Sequence, residues 1–284
     1  MLALVLCATG SPVGSLAAQS APDSPMARPA QQWAVDAAAN EIPMLQHSDV
    51  YLRYRMHVVD QKGDQVRDVV ESKDGTVARL ILRDGRALTA EEDEAERQRL
   101  NNMITSPAAY EKHMKNEASG KKLAIDLVRM MPDAMIYTYV PGQPQIGRNE
   151  GSGEVVIDYH PNPKWSPPTT TSEGLTGLEG RMWIDVKTHT MLRMEGHVFK
   201  PVNIGWGMLA HIYAGGNLLL EQTNAGRQRW IYTHFSQQVS ARALMVKTFN
   251  INTQVDASGY QVLPGPMSYQ DAIKLLLATP LPAR

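Results

Sequence analysis

The 284-residue chain has a single cysteine, Cys7, and it lies inside an apolar opening segment. If that segment is removed, no thiol remains. A disulfide framework, a thiolate nucleophile and a cysteine-based metal site are then excluded. An excess of either charge is also missing: 28 Lys and Arg stand against 29 Asp and Glu, with a pI near 6.7. A nucleic-acid footprint needs a basic face, so no nucleic-acid partner is expected. A polybasic membrane anchor is missing as well. There is no internal repeat of fixed period.

Residues 1–18 carry no charged side chain. Residues 2–6 are apolar, Gly10, Pro12 and Gly14 interrupt the run, and Ser15, Leu16, Ala17 and Ala18 supply small residues for cleavage. The segment fits a signal peptide, although no Lys or Arg opens it. A membrane span needs about 20 continuous apolar residues and fits less well. Leu6 before Cys7 argues against a lipidated cysteine, since a small residue is wanted there. Export without disulfides points to a periplasmic protein. Residues 19–30, rich in Ala, Ser and Pro, are expected to be a disordered linker. Residues 31–284 are expected to form a single domain.

Within that domain, Trp33, Ala34, Ala37, Ala38 and Ile42 recur near helical spacing, which predicts a helix over 31–45 ended by Pro43. Alternation predicts strands over 50–58, 66–72 and 77–83, with turns at Gly63 and Gly75. Thr89 and Glu92 form a capping-box pattern that opens a charged helix to 103. Ser106 and Pro107 start a second helix, predicted to 131 with a break at Ser119 and Gly120. The mixed charges of 91–99 suit a solvated helix face. Strands are predicted again over 135–140 and 153–160, then a loop over 161–177.

The stretch from Gly180 to Glu195 follows. Met182, Ile184 and Val186 alternate with Arg181, Trp183 and Asp185; Leu192 and Met194 alternate with Arg193 and Glu195. That is the period of two antiparallel strands, and Lys187, Thr188, His189 and Thr190 are the turn. Further strands are predicted over 192–200, 206–214, 217–222, 227–238 and 242–254, and a closing helix over 268–278 capped by Ser268. The economical arrangement is α+β: one strongly curved antiparallel sheet, with a helical insertion at about 89–131 between early and late strands.

The run Met182-Trp-Ile-Asp-Val-Lys-Thr-His-Thr-Met-Leu-Arg193, in this order of elements, resembles the W-I-D…T…R hairpin of the LolA/LolB-like superfamily of outer-membrane lipoprotein-sorting proteins. Asp84 to Glu92 and Val198 to Pro201 look like segments of exported bacterial members of that group. The resemblance implies an unclosed β-barrel whose concave face is covered by helices. It also implies a cavity holding a lipid or the acyl chain of a lipoprotein. The residues expected to line it are Met182, Ile184, Val186, Leu192, Met194, Val198, Leu218 and Leu220. Periodicity alone fits a closed core equally well. Neither a cavity arginine nor an exposed hydrophobic loop of the family can be matched to a residue of this sequence.

Signs of chemistry are sparse. The eight histidines show no HExxH pattern, although His197, His211 and His234 fall on neighbouring predicted strands. Gly151-Ser-Gly153 precedes a strand rather than forming a nucleophile elbow, and Ser119-Gly-Lys-Lys122 lacks the companion motifs of its enzyme class. No catalytic residue, metal site or cofactor is expected. The expectation is a non-enzymatic, monomeric lipid- or lipoprotein-binding protein. The alternative is an envelope interaction or sensor module without lipid ligand, meeting a protein partner through the charged insertion.

Overall fold

The computed structural model describes residues 28–46, 48–141, 153–244 and 247–282, and the backbone of 145–146. The segments expected to be the signal peptide and most of the linker lie outside the described residues, as do Cys7, His47 and Ser152.

The first helix is α1 (Ala30–Gln46), and β1 (Leu52–Asp60), β2 (Gly63–Ser72), β3 (Gly75–Arg83) and the short β4 (Arg86–Ala87) follow. Two helices come next, α2 (Ala90–Thr105) and α3 (Pro107–Ala134). Then come β5 (Met135–Tyr139), β6 (Gln145–Ile146), β7 (Gly153–Pro161), β8 (Leu178–Asp185) and β9 (Met191–Val198). The rest are β10 (Val202–Ile204), β11 (Ala210–Ile212), β12 (Asn217–Asn224), β13 (Trp230–Ala243), β14 (Lys247–Val262) and α4 (Tyr269–Ala278). A short 3-10 helix, Thr171–Gly177, lies in the proline-rich loop.

The chain is α+β. The strands form one 14-stranded sheet in the order β4-β3-β2-β1-β14-β13-β12-β9-β8-β7-β5, and it does not close into a barrel. All the pairings are antiparallel. The early strands join the late ones through β1 and β14. Among the described residues no helix is long and apolar enough to cross a membrane.

Strand register fixes what each face carries. Trp33, Ala34 and Ala37 of α1 enter a core with Val155, Ile157, Tyr159, Met182, Ile184, Met191 and Met194. The long α3 lies beside α1 and adds Met131 and Ala134. Tyr159 reaches over Gly180 to donate its hydroxyl to Glu195 O at 2.7 Å, a space that any side chain at 180 would fill. The opposite face of β2 and β3 carries α4. There Arg79, with its side chain 1% exposed, donates to Leu276 O at 2.7 Å and Thr279 O at 2.8 Å and pairs with Asp93 at 2.8 Å. At this helix end these bonds add to the one that Leu276 O accepts from Thr279 N.

Several expected boundaries shift for identifiable reasons. Pro43 sits in the last turn of α1 and does not end it earlier. α3 runs through Ser119 and Gly120 unbroken, with Ser119 Oγ donating to Lys115 O. The strand expected over 206–214 is instead a turn followed by the short β11, because Gly205, Trp206 and Gly207 all take left-handed φ values of 58°, 56° and 81°. The turn between the two longest strands falls after Ala243 rather than near 240, with Leu244 at φ 47°.

The charged face of α2 is not simply solvated. β3 has a free edge beyond its short pairing with β4, and α2 closes it. Glu96 Oε1 accepts from Leu80 N at 2.8 Å, and Arg99 Nη2 donates to Ala78 O at 2.7 Å. An uncovered edge offers unpaired backbone groups to other chains, and this helix removes the offer.

Candidate functional site

The turn of the β8–β9 hairpin is docked, not free. Asp185 Oδ1 accepts from Lys187 N, Thr188 N and Thr188 Oγ1, an Asx-type turn that puts His189 at φ 54°. His189 Nδ1 then lies 2.7 Å from Asp36 of α1, and its ring meets Trp33 edge-on at 4.8 Å. Asn40 donates to Thr188 O and His189 O. These contacts clamp α1 over the sheet and so fix its C-terminal half.

Under that half lies a cavity of about 340 Å³. Its walls come from the end of α1 (Met44, Leu45), from β1, β2, β13 and β14 (Tyr54, Glu71, Tyr232, Tyr260) and from the middle of α3 (Glu117, Lys121). A volume of this size suits a small organic molecule. Glu41 is buried because it falls one helical turn after Ala37, on the same stripe as Trp33 and Ala34. Its carboxylate accepts from the Tyr232 hydroxyl and, at 2.8 Å, from Gln222 Nε2. Burial raises the Glu41 pKa above the usual carboxylate range, with these bonds and Arg229 opposing. Glu71 is likewise raised by burial, against Arg229 and the Leu52 amide. Arg229 Nη2 donates to Glu71 Oε1 at 3.1 Å, while its Nε is buried without a hydrogen-bond acceptor.

Tyr54 and Tyr260 stack at a tilt, with ring centroids 5.4 Å apart. Burial pushes Tyr260 up to about 12, and it pushes Tyr54 and Tyr232 higher still, so all three stay neutral donors at ordinary pH. Both oxygens of Glu41 are engaged, and so are both of Glu71, which is what fixed wall groups need rather than a free general base. The chemistry on offer is a small amphipathic space: aromatic and aliphatic walls, with Lys73 and Lys121 also in the lining.

The eight residues expected to line a cavity are placed differently from one another. Met182, Ile184 and Met194 are buried in the core beneath α1, and Val186, Leu218 and Leu220 pack against that core. Val198 is half-buried near the end of β9. Leu192 is half-buried too, and Met191 takes the inward place. A bulge between Trp183 and Ile184 pairs Ile184 with Met191 and breaks the simple alternation. Leu220 and Tyr232 pack against this core, and Tyr232 also walls the cavity, so the two volumes adjoin.

The histidines do not converge. His197 meets Asn217, His211 meets Asn203 and His234 meets Asp256, each within hydrogen-bond reach. Among the described residues no group of three His, Cys, Asp or Glu side chains is placed to hold a metal ion. Glu41, Glu71, Arg229 and Tyr260 were missed in the sequence because their chemistry depends on strand register. Only Glu41 left a signal, its place on the apolar stripe of α1.

No family model matches the sequence. No curated protein matches it either. Among solved structures, the chain is similar to a candidate outer membrane lipoprotein-sorting protein domain from Vibrio parahaemolyticus. That likeness has 11% identity and a TM-score of 0.34, and it covers 85% of this chain and 97% of the other. At that level it carries no further argument.

Proposed function

We propose that this protein is a non-enzymatic, periplasmic binding protein that holds an amphiphile, a lipid or the acyl chain of a lipoprotein, in the cavity beneath α1. The observation that carries this reading is the cavity itself: about 340 Å³, walled by Met44, Leu45, Tyr54, Ile231, Tyr232 and Tyr260. Aromatic and aliphatic walls take hydrocarbon at about 0.8 kcal/mol per buried CH₂. Lys73 and Lys121, which also line the cavity, offer a carboxylate or phosphate oxygen a charge-assisted bond. A longer chain continues past Leu220 and Tyr232 along Leu218, Met194 and Met182, displacing side chains that pack there. The uncharged apolar start of the sequence supports export.

The test is native mass spectrometry of the full chain purified from its host, paired with titration of a fluorescent fatty acid. Bound lipid, and displacement of the probe by an unlabelled fatty acid, support the reading. A chain that is empty on purification and takes up no probe overturns it.

A further inference from the structure

The largest exposed apolar side chains cluster at one end of the sheet, away from the cavity walls. In the turn between β10 and β11, Trp206 is 90% exposed, Met208 57% and Leu209 51%. Leu244, at the end of β13, is 66% exposed, and its amide donates to Leu209 O at 3.0 Å, so the two tips are joined. The turn is held in a fixed shape. Its three left-handed residues begin at Gly205, whose amide donates to the Glu173 carboxylate at 2.6 Å. A defined backbone that presents Trp, Met and Leu to water has paid the cost of ordering without burying anything.

The strand segments that carry this tip hold basic charges and no acidic ones. Residues 196–220 and 235–255 contain no Asp or Glu, while they contain Lys200, Arg242 and Lys247. Arg242 pairs in register with His211, and Lys247 with Ala243, so both flank Leu244. Glu173, from the neighbouring 3-10 helix, brings a carboxylate to the base of the turn, where it accepts from Gly205 N. Four side chains on two narrow turns fall well short of the roughly 800 Å² per partner that a stable protein interface buries. They match what interfacial anchoring uses: Trp and aliphatic residues at the headgroup boundary, with cations drawn to anionic lipid.

We propose that the tip formed by Trp206, Met208, Leu209 and Leu244, with Lys247 and Arg242 beside it, docks the protein onto an anionic lipid bilayer. Trp206 and Met208 enter the headgroup boundary, and the basic residues meet lipid phosphates. This surface is separate from the proposed cavity and does not depend on it.

The test uses the full chain and vesicles of phosphatidylglycerol with phosphatidylcholine, against vesicles of phosphatidylcholine alone. Co-sedimentation is measured for the native chain, for W206S/M208S and for K247E. Because Trp206 is exposed, thermal unfolding of the double variant should match the native chain. Affinity for the anionic vesicles is expected to fall about tenfold or more in W206S/M208S and several-fold in K247E. Lipids brominated along the acyl chain are expected to quench the native fluorescence and to spare the W206F chain. Equal binding by native chain and double variant overturns the proposal. So does equal quenching of native and W206F, or a concentration-dependent self-association that the double variant loses while neither binds vesicles.

Discussion

His189, in the turn between β8 and β9, holds its Nδ1 2.7 Å from the Asp36 carboxylate of α1. Arg28 Nη2 reaches the same carboxylate at 2.5 Å. Burial pushes the Asp36 pKa up, but the bonds from Arg28, Gln32 and His189 outweigh it and hold the group below its usual value. A carboxyl depressed in the folded state contributes stability above its unfolded pKa of about 3.9, and that contribution is lost as pH falls through the folded value. D36A should therefore cost about 1–2 kcal/mol at neutral pH. The cost should shrink in acid below about pH 4, as urea unfolding across pH would show. Equal stability of the two chains at pH 7 would remove Asp36 as the clamp.

Glu41 has the opposite sign. Burial raises its pKa, so the folded state favours the protonated form. Its contribution is greatest below the unfolded carboxylate pKa and is lost as pH rises through the elevated folded value. E41Q keeps an acceptor for Tyr232 and removes the titration. Its stability should match the native chain at low pH and equal or exceed it at pH 7. E41A leaves Tyr232 and Gln222 facing an empty space and should lose about 1–3 kcal/mol. Unfolding midpoints of the three proteins from pH 4 to 8 decide it; a native chain that gains on E41Q as pH rises contradicts the assignment.

The strands of the β8–β9 hairpin were legible because alternation is a local property. The bulge that substitutes Met191 for Leu192 on the inner side was not, since it depends on pairing with β8. The same limit hid the 205–209 turn: Gly-Trp-Gly flanked by apolar residues satisfies a strand pattern, and left-handed φ values leave no periodic trace. The charges of α2 looked solvated because sequence shows neither the free edge of β3 nor which helix covers it. The cavity beneath α1 leaves no row of alternating aliphatic residues in the sequence. Its tyrosines and charged groups come from α1, β1, β2, α3, β13 and β14, far apart in sequence and brought together by the β1–β14 and β13–β14 pairings and the helices laid over them.

The buried core row offers a test of how the cavity and core adjoin. M182A and M194A remove side chains that are each 6% exposed and should cost about 2–5 kcal/mol each. If the ligand chain extends past Leu220, the space opened should favour longer fatty acids over shorter ones in displacement titrations. Unchanged chain-length preference in a folded M194A protein would confine the ligand to the cavity beneath α1.

Arg79 should be among the least replaceable residues. It joins β3 to the end of α4 and to Asp93 of α2 while its own side chain is 1% exposed. Removing it takes a charged donor from Leu276 O and Thr279 O and leaves Asp93 to Arg97 alone. R79A is expected to lose about 3–5 kcal/mol in denaturant unfolding. A loss under about 1 kcal/mol would show that Arg97, which also reaches Asp93, replaces it.

Two glutamates two positions apart on α2 should behave differently. Glu94 is exposed and accepts from Gln98 at 2.9 Å, so E94K should stay within about 0.5 kcal/mol of the native chain. Glu96 has a side chain 9% exposed, accepts the Leu80 amide and is bridged by Arg99. E96K would set an ammonium against a backbone donor and beside a guanidinium. It should cost about 3 kcal/mol or more and reopen the edge of β3. The open edge then has unpaired backbone groups, so E96K should also self-associate with rising concentration where E94K does not. Sedimentation velocity alongside denaturant unfolding separates the two effects. If both variants unfold at the same denaturant concentration, α2 is not the cover of the sheet edge, and its charges are free to meet a partner after all.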